Sequence, residues 1–344
     1  MKPRDLRLLV MHVSTRCDQA CAHCSVWKGN GKARGEMGLL ERISVLQEAS
    51  ALGARTVLFT GGEPLLCDHI ESLARAAKTA GLSVQLASNG LGLTRAASWL
   101  GVAVDEIYVS LEGPEAVHDS IRGPIMFARL QAAVAGLKAS GARPRLVARC
   151  ALSSRNARFV PETVRAARLM GFDAVSFLSI DTESSAFGGD PSARASLRPG
   201  RNDVSALLDG VATLDRAGEL GGFVLEDAGK LARIANGFVQ DRACAEAPPC
   251  NAPEWSSVVE ANGDVRPCFF QPVVAAVQGV SLQAVRHSEA YARALFGLGR
   301  GNPVCASCVC PKHAASGLAA VRRHATGALG QMLSHLGESR RATV

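Results

Sequence analysis

The chain has 344 residues, 47% hydrophobic and 20% charged, an ordinary globular composition that excludes a disordered or fibrous protein. Its formal net charge of +7 is spread without long runs of one sign. That leaves room for an acidic ligand but lacks the basic stripe that nucleic-acid binding calls for. No stretch approaches the roughly 18 apolar residues of a membrane span, and the apolar segment 6–13 is broken by Arg7 and His12, too short and too charged for a signal peptide. A cytoplasmic protein is expected, with neither nucleic acid nor membrane as partner.

Six β-like runs, at 6–14, 56–60, 83–87, 106–111, 145–152 and 174–180, alternate with segments whose apolar residues recur at spacings of three and four, such as Leu39, Leu40, Ile43, Leu46 and Ala49. Gly53, Gly81, Gly101, Gly141 and Gly171 stand just past these helical segments, where a left-handed cap suits glycine. Six strand–helix repeats predict an α/β fold with a parallel sheet. An open, partial (β/α)6 barrel and a doubly wound sheet both satisfy the pattern. Residues 181–201, rich in Ser, Gly, Pro and acidic residues, follow the sixth strand and so fall at the C-terminal mouth of the sheet, where active-site loops sit. A helix is predicted over 203–218. The region 222–312 then carries a hairpin signal, 257–261 and 264–269 around Asn262-Gly263, one helix near 282–298, and six cysteines. The tail from Ala314 reads as a helix, with Leu318, Val321, Leu329, Met332 and Leu333 partly on one face. The predicted domains are 1–220, 221–313 and a C-terminal helix over 314–344.

Eleven cysteines is an odd number, which excludes a complete disulfide framework. In a reducing compartment clustered cysteines serve as metal or catalytic ligands. Cys17, Cys21 and Cys24 form C-x3-C-x2-C directly after the first strand. Three thiolates on one loop match structural zinc poorly, since zinc takes four ligands, and they suit three corners of a [4Fe–4S] cube whose fourth iron stays open. Gly61-Gly62-Glu63-Pro64 follows the second strand, Ser88-Asn89-Gly90 the third, and Ser110-Leu111-Glu112-Gly113-Pro114 the fourth, with Arg122 close behind. Paired glycines let a backbone approach a ligand closely.

In combination these motifs resemble the radical S-adenosylmethionine (SAM) superfamily over about residues 8–180. Its C-x3-C-x-Φ-C signature, with an aromatic residue or His at Φ, is Cys17, Cys21, His23 and Cys24 here. The resemblance implies a partial (β/α)6 TIM-like barrel and a [4Fe–4S] cluster on Cys17, Cys21 and Cys24 whose open iron takes SAM. It implies Gly61, Gly62, Glu63 and Pro64 against the SAM amino group, Ser88 and Asn89 on the ribose side, and Ser110 and Arg122 on the SAM carboxylate. The last pair resembles the branch with C-terminal auxiliary clusters, the SPASM and twitch proteins, in type and spacing. That branch usually has Asp where this chain has Glu112, which leaves the reach of that carboxylate open.

Cys250, Gly263 and Cys268 read C-x12-G-x4-C, and Cys305 with Cys308 adds C-x2-C. A four-cysteine zinc site fits this spacing too. The resemblance to the twitch proteins implies instead one auxiliary [4Fe–4S] cluster on Cys250, Cys268, Cys305 and Cys308 in a small cysteine-rich domain, with Cys310 an alternative ligand and Cys244 left over. Cys67 and Cys150 read as plain buried thiols.

The activity so implied is reductive cleavage of SAM to a 5′-deoxyadenosyl radical that takes a hydrogen atom from substrate, the electron coming from a donor such as flavodoxin or ferredoxin. A four-cysteine auxiliary cluster has no free site, which points to electron exchange with the substrate and an oxidative, dehydrogenase-like outcome. No peptide-recognition segment precedes Cys17, so a small polar metabolite in natural-product or cofactor biosynthesis is the expected substrate. A maturase acting on a ribosomal peptide, and a non-catalytic iron–sulfur or zinc protein, are the alternatives. Arg149, Asp181 and Glu183 fall near strand ends at the mouth, and ordinary loop polarity explains them as well as a catalytic role does.

Overall fold

Alternating burial in the strands separates a helix-covered face of the sheet from an inner one. The computed structural model describes residues 5–29, 35–182, 184, 186, 191–239, 250–296 and 305. In Leu8–Ser14 (β1), Leu9, Met11 and Val13 are fully buried, and Val57 and Phe59 in Thr56–Gly61 (β2), Val84 and Leu86 in Ser83–Ser88 (β3), and Ile107 and Val109 in Glu106–Ser110 (β4) repeat the pattern. Arg145–Leu152 (β5) and Ala174–Ser179 (β6) complete the parallel set, each strand pairing with the next in chain order. The connections are Leu39–Ala51 (α1), Ile70–Thr79 (α2), Leu93–Ala103 (α3), Glu115–Arg122 (α4), Met126–Ala139 (α5) and Val160–Met170 (α6). Their apolar stripes, including Leu46, Leu73, Leu100, Leu137 and Val164, join the buried strand residues in one core. Because side chains alternate along a strand, His12, Thr60, Tyr108, Ser110 and Arg149 fall on the other, inner face.

The six predicted strands of the main sheet are all present, with ends shifted by no more than two residues. Among the predicted caps, Gly53, Gly81, Gly141 and Gly171 take positive φ. Gly101 does not: it lies inside α3, where the Ala142 backbone comes so close that a Cβ would sit 3.1 Å from its Cα. The sixth strand is followed by a 3-10 segment, Pro191–Leu197, and then Arg201–Arg216 (α7). Ala228–Val239 (α8) was not foreseen. It buries Leu231, Ile234, Ala235 and Phe238 against α7 and β6, a helical spacing that Gly229 and Gly237 obscure in the sequence.

The second region, expected over 221–313, continues the same sheet. After Ala252–Trp255 (α9), the hairpin forms as Ser256–Val259 (β7) and Asp264–Arg266 (β8), followed by Ala275–Ala276 (β9). Rather than standing apart, β7 pairs in parallel with β1, Leu8 opposite Ser256 and Met11 opposite Val259. One sheet results, in the order β6-β5-β4-β3-β2-β1-β7-β8-β9. With β6 and β9 at its edges it stays open, as a partial barrel does. The helix expected near 282–298 is two, Leu282–Arg286 (α10) and Glu289–Phe296 (α11), parted where the Ser288 hydroxyl accepts from the Tyr291 N–H. The tail helix expected over 314–344 lies outside the described residues. Among the described residues no helix is long and apolar enough to cross a membrane.

Candidate functional site

Apart from Arg122, which ends α4, the motif residues of the core lie at the C-terminal end of a strand or in the loop that follows it. The β1–β2 pair builds the first part. Gly62 N donates to Ser14 O at 2.8 Å and Glu63 N to Arg16 O at 2.8 Å, so the turn after β2 grips the segment that leads into Cys17. A Cβ on Gly61 would collide with Ser14 O, and one on Gly62 with Arg16 O. The two glycines are therefore already required by backbone meeting backbone, where the sequence suggested approach to a ligand.

The cysteine loop is held from the other side as well. Ala22 N donates to Ile121 O, Trp27 Nε1 to Cys24 O, and Arg122 Nη1 to Gln19 Oε1 at 2.9 Å. Burial pushes the Cys17 thiol up to about 12 and raises Cys21 and Cys24. Cys17 feels the charge of Cys21, and Cys21 that of Cys24, so the three thiols are neighbours on one loop. Among the described residues no three His, Cys, Asp or Glu side chains converge on a single-ion position. Three soft, desolvated sulfurs, neighbours without converging on one point, fit the corners of an iron–sulfur cube, whose positive iron would offset the cost of holding buried thiolates.

Glu63 ties three loops together. It is 2% exposed and accepts from Leu65 N at 3.0 Å, Ser88 Oγ at 2.8 Å and Asn89 N at 2.7 Å. Asn89 Nδ2 in turn donates to Asp18 Oδ1 at 2.6 Å, beside Cys17, and Pro64 opens the short turn Pro64–Leu66. Burial outweighs the three donors and lifts the Glu63 carboxyl to about 7. An acid raised in the folded state stabilises the fold below its unfolded value near 4.5, and that contribution is lost as pH rises through about 7. Between pH 5 and pH 8, urea unfolding of the cluster-free protein should therefore show the unaltered chain losing about 3 kcal/mol relative to Glu63→Gln, a difference in which the opposing contributions of other groups cancel.

The third part departs from the expected clamp. The Ser110 hydroxyl donates to Ser88 O at 3.4 Å, while Arg122 turns Nε and Nη2 onto Glu112 Oε1 at 3.1 and 2.7 Å. Glu112, 1% exposed, also accepts from Ala151 N at 3.0 Å, and its other neighbour is His23 at 3.8 Å. Burial works to raise the Glu112 carboxyl, and Arg122 with His23 overcomes it and holds the group below its usual range. Desolvation lowers His23 and His118 to about 4, and neutral His118 accepts from Glu112 N at Nδ1. The reach left open by Glu in place of Asp is thus spent on a buried ion pair. Arg149 lies on the inner face with its guanidinium carbon 3.6 Å over the Tyr108 ring. Asp181 accepts from Ser184 N, as ordinary loop polarity would have it, and Glu183 is outside the described residues.

Of the second cysteine group, Cys250, Cys268 and Cys305 are half-buried neighbours: burial pushes Cys268 up to about 11, with the charges of Cys250 and Cys305 adding to the rise. Gln271 Nε2 contacts Cys305 Sγ at 3.5 Å. Cys308, with Cys244 and Cys310, lies outside the described residues. Cys67 and Cys150 are buried, as expected of structural thiols.

Residues 11–177 match the model of the Radical SAM superfamily. The chain carries a radical SAM domain. Its relatives include an AdoMet-dependent heme synthase of Methanosarcina barkeri, 28% identical over 48% of this chain and 48% of that one, and the PqqA peptide cyclase of Ruegeria pomeroyi, 37% identical over 39% of this chain and 37% of that one. The chain spans less than half the length of each of these two curated relatives. Among solved structures, SuiB of Streptococcus suis bound to S-adenosylmethionine superposes with a TM-score of 0.65 at 16% identity, covering 89% of this chain and 72% of that one. The fold likeness therefore extends past the radical SAM domain into the second region. Sequence reading missed Asp18, Gln19 and the Glu112–Arg122 pair, although Asp18 and Gln19 fill the first spacer of the cysteine motif, where neighbours of a cluster must lie.

Proposed function

We propose that this chain is a radical SAM oxidoreductase that acts on a small polar metabolite in natural-product or cofactor biosynthesis, and that it carries two [4Fe–4S] clusters. The observation that carries the reading is the group of three partly buried thiols on the loop after β1, braced by the Gly61–Gly62 turn and the Glu112–Arg122 pair. Cys17, Cys21 and Cys24 would hold the first cluster. The turn Gly61–Pro64, with Ser88, Asn89, Ser110 and Arg122, would form the SAM side of the site; the buried Glu63 carboxylate suits an ammonium, which would also favour its ionised form. When bound, the cluster and SAM supply a carbon radical that removes hydrogen from unactivated C–H bonds. The chain's own part is to hold them away from water, on a sheet whose inner face is lined by alternate strand residues.

Cys250, Cys268, Cys305 and Cys308 would hold the auxiliary cluster, and the mutual influence of the first three supports it. An external one-electron donor of the flavodoxin or ferredoxin class and a cytoplasmic setting belong to the same reading. A peptide substrate is the second reading, favoured by the likeness to the PqqA peptide cyclase. Anaerobically reconstituted protein should hold about eight iron and eight sulfide per chain. Replacing Cys250, Cys268, Cys305 and Cys308 by Ala should halve both while SAM cleavage persists and product formation fails. Unchanged iron content in that variant overturns the auxiliary cluster. Co-purification of a short precursor peptide would favour the second reading.

A further inference from the structure

The ladder that holds β1 ends at Ser14, opposite Gly61, on the β2 side and at Met11, opposite Val259, on the β7 side. Thr15 is the first residue past the sheet and stands two positions ahead of Cys17. Its N–H and its hydroxyl both donate to Glu36 Oε1, at 3.0 and 3.2 Å. The other oxygen, Oε2, meets Arg42 Nη2 at 3.3 Å, and Arg42 Nη1 reaches Cys67 Sγ at 3.3 Å. Cys67 closes the turn that begins at Pro64, its N–H donating to Pro64 O at 2.9 Å. The backbone that carries Glu36 is fixed as well: the next residue, Met37, is 4% exposed, and its N–H donates at 2.8 Å to Ala261 O between β7 and β8. One carboxylate thus joins the root of the cysteine loop, through Arg42, to the turn that continues Gly61–Pro64.

The fold alone gives no reason for this arrangement. Arg42 is 2% exposed and lies on α1, whose other buried side chains, Val45, Leu46 and Ala49, pack into the apolar core. Its Nε is shut off from solvent and has no hydrogen-bond partner among the described residues. Burying a guanidinium with one donor unmet costs stability, and an apolar side chain of similar size would avoid that cost. What a buried ion pair can supply is one fixed geometry. The geometry fixed here is that of Thr15, where the chain leaves the sheet for Cys17.

We propose that Glu36 is a positioning residue for the iron–sulfur cluster of the first cysteine group: anchored by Arg42, it holds Thr15 and so sets how the loop delivers Cys17. The proposal rests on the radical SAM reading for there being a cluster on Cys17, Cys21 and Cys24. It adds to that reading a residue outside every motif of the sequence.

Two double variants separate the hold on Thr15 from the ion pair. Glu36→Gln with Arg42→Met removes both charges and keeps an oxygen for Thr15, whereas Glu36→Ala with Arg42→Met removes the charges and the oxygen. Both lose the same ion pair, so a difference between them does not come from its loss. Reconstituted full-length protein is exposed to a ferrous-iron chelator, and the release phase that Cys21→Ser eliminates belongs to the first cluster. That phase should be about 10–100-fold faster in the Ala variant than in the Gln variant, and the Gln variant should release iron as slowly as the unaltered protein. Equal rates in the two overturn the proposal. Thr15→Val, which removes only the hydroxyl donor, is the milder variant should either double one not fold; it should release iron faster than the unaltered protein, and unchanged release there overturns the proposal too. Amide exchange at Thr15 in the cluster-free proteins is the second readout, fast in the Ala variant and slow in the Gln variant, and exchange alike in both is equally fatal. A Cys21→Ser protein with unchanged iron content would overturn the underlying reading instead, and Thr15 exchange would still separate the two double variants.

Discussion

Gly62→Ala should lower the stability of the cluster-free protein by about 3–5 kcal/mol and abolish iron binding at the first cysteine group. The added methyl would collide with Arg16 O, a backbone atom that has no rotamer to change. Relief requires the β2 turn and the cysteine loop to part, which breaks the bonds from Gly62 N to Ser14 O and from Glu63 N to Arg16 O. Both ends of the damage matter, because the segment displaced is the one that delivers Cys17. Gly222→Ala is the control: its Cβ would meet only Glu219 O, at an ordinary 3.7 Å. Urea unfolding and iron content, measured on both variants, check the result. A Gly62→Ala protein with native stability and full iron would show that the turn is not the brace described here.

Arg122→Met should cost about 3–5 kcal/mol, since it leaves Glu112 charged and buried without its partner. The loss is larger than for a surface ion pair because Glu112 is 1% exposed and Arg122 9%. Gln19 also loses its donor, and Cys21 and Cys24 lose the nearest positive charge that favours their thiolates. Glu112→Gln combined with Arg122→Met should recover about 2 kcal/mol of that cost, because no uncompensated charge remains. Additive effects in the double variant would contradict the pairing.

Much of this was legible in the sequence because the signals were local. Short β-like runs alternating with helical segments marked each strand of the main sheet, and the cysteine spacings located both thiol groups before any contact was known. What stayed hidden depended on contacts between distant segments. The addition of β7 to β1 is a pairing across more than two hundred residues, and a hairpin signal carries no information about which edge it joins. Gly61 and Gly62 looked like ligand-facing residues because a close approach is visible in sequence while the identity of the approaching group is not. Arg122 was paired with Ser110 by the resemblance to the twitch branch, and its contact with Glu112, ten residues away, is not written in any local pattern. His12 read only as a polar interruption of an apolar run, since its partner Glu260 lies far along the chain.

The central claim is that Cys17, Cys21 and Cys24 hold a cluster that opens SAM. The most direct measurement incubates anaerobically reconstituted, reduced protein with SAM and quantifies 5′-deoxyadenosine and methionine, with Cys21→Ser alongside. The account predicts both products from the unaltered protein and neither above background from the variant. Iron-replete protein that yields no 5′-deoxyadenosine, or a Cys21→Ser variant that yields as much as the unaltered chain, would contradict it.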